Sequence, residues 1–158
     1  MDADAPSIPA RTAAVTRAAL RACLARGWSP VPEVPLPNGR RADILALRPD
    51  GGFAIIEVKS CARDFLADMK WPDYREFCDE LHFAVDLDFP QDLLPEDCGL
   101  WVSDGHEAAS VRDAFQHALH PSRRKALLHR FAAVAAGRLA AVTDPQGAME
   151  RRAALLSD

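Results

Sequence analysis

A mixed α/β domain with a central sheet covered by helices is what this sequence predicts. Three observations carry the prediction. Residues 41–47 alternate in character and 53–56 form a closed apolar run, both strand patterns. An alanine-rich helical stretch precedes them, and further helical stretches follow. Turn clusters, Pro37-Asn38-Gly39 and Pro49-Asp50-Gly51-Gly52, separate the pieces. The order helix, strands, helices, strand, strand, helix places one sheet between helical layers.

In chain order, residues 1–9 are acidic, carry Pro6 and Pro9, and read as a flexible tail. A helix is expected from Ala10 to Arg26, stopped by Gly27. Its charged residues are all basic, and Arg17 and Arg21 stand one turn apart. Trp28–Leu36 carries Pro30, Pro32 and Pro35, which cannot donate to a ladder, so it is placed at a sheet edge. Arg40–Leu47 and Phe53–Lys59 follow as a hairpin, the second strand buried on both faces. Cys61–Lys70 reads as a helix broken by Trp71-Pro72, with a short helix over 73–79. Strands are expected at Leu81–Asp86 and Cys98–Val102, then a short strand over 109–112 that passes into helix. Pro121 fits the first position of a last helix reaching Val142. The expected division is a tail over 1–9, one domain over 10–142, and a C-terminal tail or frayed helix over 143–158.

The four cysteines lack metal-ligand spacing and read as reduced thiols. No apolar run approaches ~20 residues, and the N-terminus lacks a signal-peptide pattern, so a cytoplasmic protein without a membrane span is expected. The net charge of −4 disfavours a general nucleic-acid binder. The distribution is uneven, however. Residues 72–107 hold eleven acids and only Arg75 as a base, whereas 108–158 hold eight bases against four acids. A basic face for DNA and an acidic face for a protein partner are both compatible with that pattern, as is a solvated mixed surface.

The hairpin carries the chemistry. In a strand, residues two apart share a face, so Glu57 and Lys59 point together and Val58 points away. If Leu47 pairs with Phe53 across the loop, Asp43 falls opposite Glu57 and Arg41 opposite Lys59. Facing carboxylates destabilise a sheet, and a carboxylate embedded after Phe-Ala-Ile-Ile needs a partner. One solution is a four-charge ladder with Arg41 and Lys59. The other is a hard divalent cation, which favours carboxylate oxygen, with Lys59 beside it to act on water or phosphate.

Asp43, followed after thirteen residues by Glu57-Val58-Lys59, resembles the PD-(D/E)XK nuclease superfamily. A wider set is similar to the MmcB family. It comprises Arg40–Asp43, Ile56–Ser60, Asp64-Phe65, Asp68, Lys70-Trp71, Tyr74, Cys78-Asp79, Phe83–Val85, Gly99-Leu100 and Arg123–Leu127. Those are bacterial proteins assigned to DNA repair, with an endonuclease role ascribed to them. The resemblance implies a restriction-endonuclease-like core and a metal-dependent DNA endonuclease. It implies Mg²⁺ or Mn²⁺ held by Asp43, Glu57 and the Val58 carbonyl, with Lys59 helping to activate water. It also implies DNA contacts from Arg41, Asp68, Lys70, Tyr74 and the Arg123-Arg124-Lys125 cluster, and a nucleoid-associated location. One departure stands out: residues 10–26 contain no acid, where many superfamily members carry one. Glu33 is the candidate substitute. A module that keeps the scaffold and binds DNA or a repair partner without turnover is the competing expectation.

Overall fold

The structure is a computed structural model that describes residues 6–157, so most of the expected N-terminal tail lies outside the described residues. Contacts divide the chain into two compact units, 1–120 and 121–158.

The first unit is built on one six-stranded sheet whose strands lie side by side in chain order. These are β1 (Ser29–Pro35), β2 (Arg41–Leu47), β3 (Phe53–Lys59), β4 (Glu80–Asp86), β5 (Gly99–Ser103) and β6 (Ala108–Arg112). β3, β4 and β5 run parallel to one another, and the remaining pairs are antiparallel. Mixed, helix-covered α/β architecture is therefore what the chain forms. β1 is an edge strand, as its prolines require.

Helix α1 (Ile8–Ala25) covers one face. It begins two residues earlier than the sequence suggests, because Ser7 caps it and Pro9 fits its first turn. Its buried stripe is made of small residues, Val15, Ala18, Ala19, Ala22 and Cys23, which let it lie close on Ile44, Ala46, Ala54, Ile56, Ala84 and Trp101. Two of its arginines and the C-cap Arg26 are engaged within the fold: Arg11 with Asp86, Arg21 with the His106 carbonyl, Arg26 over the Trp101 ring. The opposite face buries Leu45, Ile55, Leu81 and Phe83. Phe65 and Trp71 meet Phe83 edge-on, with centroids 5.5 and 5.7 Å away.

The expected helix over Cys61–Lys70 is shorter: α2 spans Ala62–Ala67, and a 3-10 turn covers Trp71–Phe77. Residues 113–120 are not helical, contrary to expectation. Their alternate N–H groups, from Phe115 and His117, reach the carbonyls of Asp97 and Asp79, and Leu119 reaches the Asp79 carboxylate. An extended strap satisfies these donors where a helix would have taken them inward. All four cysteines are free.

The second unit is a pair of helices, α3 (Pro121–Thr143) and α4 (Pro145–Leu155). The stretch expected as a tail or frayed helix after 142 contains α4, whose start Asp144 caps by accepting from the Gly147 N–H at 3.1 Å. Against the expectation that nothing is apolar enough to cross a membrane, α3 reaches a mean hydropathy of 1.2 over 18 residues, which passes by length and composition alone. Arg130 and Arg138 interrupt that stretch.

Candidate metal and nucleic-acid site

The hairpin register is the one anticipated. Leu47 pairs with Phe53 and Ile44 with Ile56, which sets Asp43 opposite Glu57. The ladder stops there, and side chains replace it. The Asp43 N–H donates to Glu57 Oε1 at 3.1 Å, and the Val58 N–H donates to Asp43 Oδ2 at 2.8 Å. Each acid thus takes a backbone donor of the other strand, which locks both carboxyls in place.

A matching break occurs between β1 and β2. Pro32 pairs with Ile44 and Val34 with Ala42, and the register skips Glu33 and Asp43 between them. Glu33 has φ 49°, the left-handed region, and is the one non-glycine residue there among the described residues. The two registers place Glu33, Asp43 and Glu57 in one row across three strands. Glu33 is exposed and lies 3.5 Å from Arg41.

Burial makes the central pair unusual. Glu57 is 2% exposed. Burial first, and the neighbouring Asp43 charge second, push its carboxyl up to about 8, against the Asp43 N–H and the Lys59 charge. Burial raises Asp43 as well, opposed by the Val58 N–H and Lys59. The two carboxyls titrate as a pair that keeps a proton toward neutral pH.

The four-charge ladder does not form. Lys59 Nζ lies 2.5 Å from Asp68 Oδ2 instead, and Arg41 faces Glu33. Asp68 follows the last residue of α2, and its other oxygen accepts the Lys70 N–H at 3.0 Å. Burial pulls the Asp68 carboxyl up, but the Lys59 hydrogen bond, the Lys70 N–H and the charges of Lys59 and Arg40 hold it below the usual range. Tyr74 is buried, and its hydroxyl donates to the Arg41 carbonyl at 3.1 Å. Burial, then the charges of Glu57, Asp43 and Asp68, raise that phenol. Arg40 reaches Asp73 at 3.2 Å on the same rim.

The structure therefore brings together Asp43, Glu57, Lys59, Asp68, Tyr74 and Arg41. Asp68 and Tyr74 face inward and brace the site rather than presenting a surface. Lys70 is exposed at its edge. Arg123, Arg124 and Lys125 stand on the first turn of α3, in the second unit. The acids of 72–107 are largely engaged within the fold. Asp73, Asp97 and Asp86 bind arginines, Glu80 binds Arg48 and His82, Asp79 binds backbone N–H groups, and Asp104 caps a turn. The part Asp68 plays toward Lys59 was not foreseen. An acid at a helix C-terminus opposes the helix dipole, and that local conflict was the available signal.

A buried Glu57 and a partly buried Asp43, each accepting a backbone N–H of the opposite strand and with no cation in direct contact, offer hard oxygen donors, so the donor set fits a divalent ion. Among the described residues, no group of three or more His, Cys, Asp or Glu is close enough to hold one. The fit therefore rests on two carboxylates and backbone oxygen.

Fold and centre together define a mixed α/β domain with a paired-carboxylate site beside a lysine. Residues 3–146 match the family model described as DNA repair protein MmcB-like, and the chain belongs to that family. A solved structure, a protein of unknown function from Silicibacter pomeroyi, is 42% identical, covers 87% of this chain and 94% of its own, and superposes with a TM-score of 0.82. No curated protein matches the chain.

Proposed function

We propose that this protein is a divalent-metal-dependent DNA endonuclease of the PD-(D/E)XK type, acting in bacterial DNA repair within the nucleoid-bearing cytoplasm. The observation that carries the reading is the Asp43/Glu57 pair. Burying Glu57 against a partly buried second carboxyl, Asp43, without a counter-charge in contact is costly for a fold, and a structural role would have paired them with Arg41 or Lys59. Asp43, Glu57 and the Val58 carbonyl would hold Mg²⁺ or Mn²⁺, with Glu33 available from the same row. When bound, the ion supplies Lewis acidity and a water acidic enough to attack near neutral pH. Asp68 fixes the Lys59 ammonium at the end of β3, where it places positive charge toward a phosphoryl oxygen that gains charge in the transition state. Arg41 and Lys70 would contact phosphates, setting register on the strand without reading bases, and the Arg123–Lys125 cluster is, by itself, a further candidate phosphate contact. Docking of a repair protein on 72–107 has weaker support, since so many of its acids already hold internal partners.

A second reading, a DNA- or partner-binding module without turnover, is favoured by one observation: no three-acid cluster forms among the described residues. Incubation of nicked, branched and single-stranded DNA with Mn²⁺ separates the two. Wild type is expected to cut at least one substrate, and Glu57→Ala to lower the rate by about a hundredfold or more. No cleavage of any substrate, or equal cleavage by Glu57→Ala, leaves the second reading.

A further inference from the structure

The segment from α2 to the Trp71–Phe77 turn lies against the candidate site. Asp68 contacts Lys59, Tyr74 reaches the Arg41 carbonyl, and Asp73 reaches Arg40. Phe65 anchors the inner side of α2, 8% exposed and edge-on to Phe83. The outer side is different in kind. Leu66 is 61% exposed and Met69 is 82% exposed. Met69 is one residue from Asp68, so its α-carbon is about 3.8 Å from that of the residue gripping Lys59.

Isolated exposed apolar residues are ordinary on a protein surface. These two are not isolated from charge. Arg63 shares a helix face with Leu66, three residues away, and Lys70 follows Met69. Both cations are exposed and have no ion-pair partner among the described residues, unlike Arg11, Arg40, Arg48 and Arg75. Asp64 is the acid that shares α2 with Arg63. Two bulky apolar side chains between two unpaired cations make an amphipathic edge, and it adjoins a site read as cutting phosphodiesters. That combination matches the chemistry of an unstacked nucleotide, with a flat apolar base and a charged phosphate. Leucine and methionine are among the side chains that wedge between base steps.

We propose that Leu66 and Met69, flanked by Arg63 and Lys70, form a wedge that engages unstacked bases, so that the preferred substrate is DNA with unpaired or displaced bases rather than intact duplex. The inference rests on the nuclease reading of the adjoining carboxylates and names its substrate class. The trapped base would lie on the apolar pair while the cations hold phosphates on either side. Unstacking costs least where pairing is already lost, and this favours bulged or damaged DNA.

The test uses the full chain carrying Glu57→Ala, so that turnover does not intrude. Fluorescence anisotropy compares a duplex containing a central bulge with the same duplex without one, and 2-aminopurine beside the bulge reports unstacking. The bulged DNA should bind about tenfold more tightly, with a rise in 2-aminopurine emission on binding. Adding Leu66→Ser and Met69→Ser should bring the affinity ratio close to one and remove the emission change. Lys70→Gln should weaken binding to both DNAs and lower the salt slope by about one. Equal affinity for the two DNAs, or a preference that survives the double serine variant, overturns the wedge. Mn²⁺-dependent cleavage by wild type is measured in parallel. Cleavage without bulge preference overturns the wedge alone. Bulge preference that depends on Leu66 and Met69 without cleavage supports the wedge and removes the nuclease reading.

Discussion

Asp79 and Glu57 are both buried carboxyls, and they sit at opposite ends of β3. Asp79 Oδ2 accepts from the Phe53 N–H at 2.8 Å, where the strand begins, and its Oδ1 accepts from Leu119 N–H at 3.0 Å. Its own backbone bonds Phe53 and His117 as well. Every one of those contacts joins a segment to the sheet. Glu57, at the far end, accepts one backbone N–H and otherwise faces a second carboxyl. Burial alone therefore does not mark a functional acid. What distinguishes the two is whether the neighbours neutralise the charge or add to it.

If that contrast is sound, the two positions respond to substitution in opposite directions. Asp79→Ala leaves two buried N–H groups without their acceptor and unclips the 113–120 strap, so it should cost roughly 3–5 kcal/mol in urea unfolding, the largest effect expected. Glu57→Gln keeps the shape and an acceptor oxygen but removes a group whose proton affinity is raised. A carboxyl with an ordinary value of 4.5 unfolded and about 8 folded costs nothing below pH 4.5. The cost grows as pH rises from there, because the unfolded chain releases its proton first, and it is complete above about pH 8. Glu57→Gln should therefore match wild type near pH 4 and exceed it in stability by roughly 1–3 kcal/mol at pH 8.5. Urea melts at both pH values read this directly. A destabilised Glu57→Gln at pH 8.5 would break the comparison, since Glu57 would then be as structural as Asp79.

Asp68→Asn sharpens the same contrast at a partly buried ion pair. It removes the charge that faces Lys59 while preserving hydrogen-bond capacity. Stability should fall by roughly 1–2 kcal/mol, below the Asp79 effect. Since Asp68 is held below the ordinary carboxylate range, its stabilisation is present at neutral pH and is lost as pH falls through the folded value. The difference between wild type and Asp68→Asn should accordingly shrink in acid, opposite in sign to the Glu57 difference. The same melts at low and neutral pH check it.

The hairpin was readable because its two strands obey a period of two and its loop is short enough to fix the register. That register sets Asp43 opposite Glu57. The broad architecture followed from the same periodicities. Other features depended on tertiary competition that no local pattern records. Residues 113–120 carry helix-forming types, yet their donors are claimed by Asp97 and Asp79. The sequence places Asp68 within a helix over Cys61–Lys70 and, by resemblance, at a DNA contact, because it draws that helix too long. Once the helix ends at Ala67, its side chain is free to turn toward Lys59. Tyr74, which the resemblance implies as a DNA contact, is instead buried, and Trp71 beside it packs on Phe83. The left-handed backbone at Glu33 has no sequence signature, since glutamate does not favour it.

Arg41 and Glu33 mark the outer end of the row, and there the smallest effect is expected. The pair is separated by 3.5 Å and both side chains are well over half exposed, 64% and 65%. Solvent screens such a pair, and holding two long side chains together costs entropy that offsets the attraction. Arg41→Gln should thus leave the melting midpoint within experimental scatter, in contrast to each position further in. Its effect should surface in binding instead. If Arg41 contacts a phosphate, its loss lowers the salt dependence of DNA affinity by about one ion without altering any preference among DNA structures. A titration of affinity against salt reads that slope. An unchanged slope would assign Arg41 to Glu33 alone, and the DNA path would then have to leave the row on the Lys70 side.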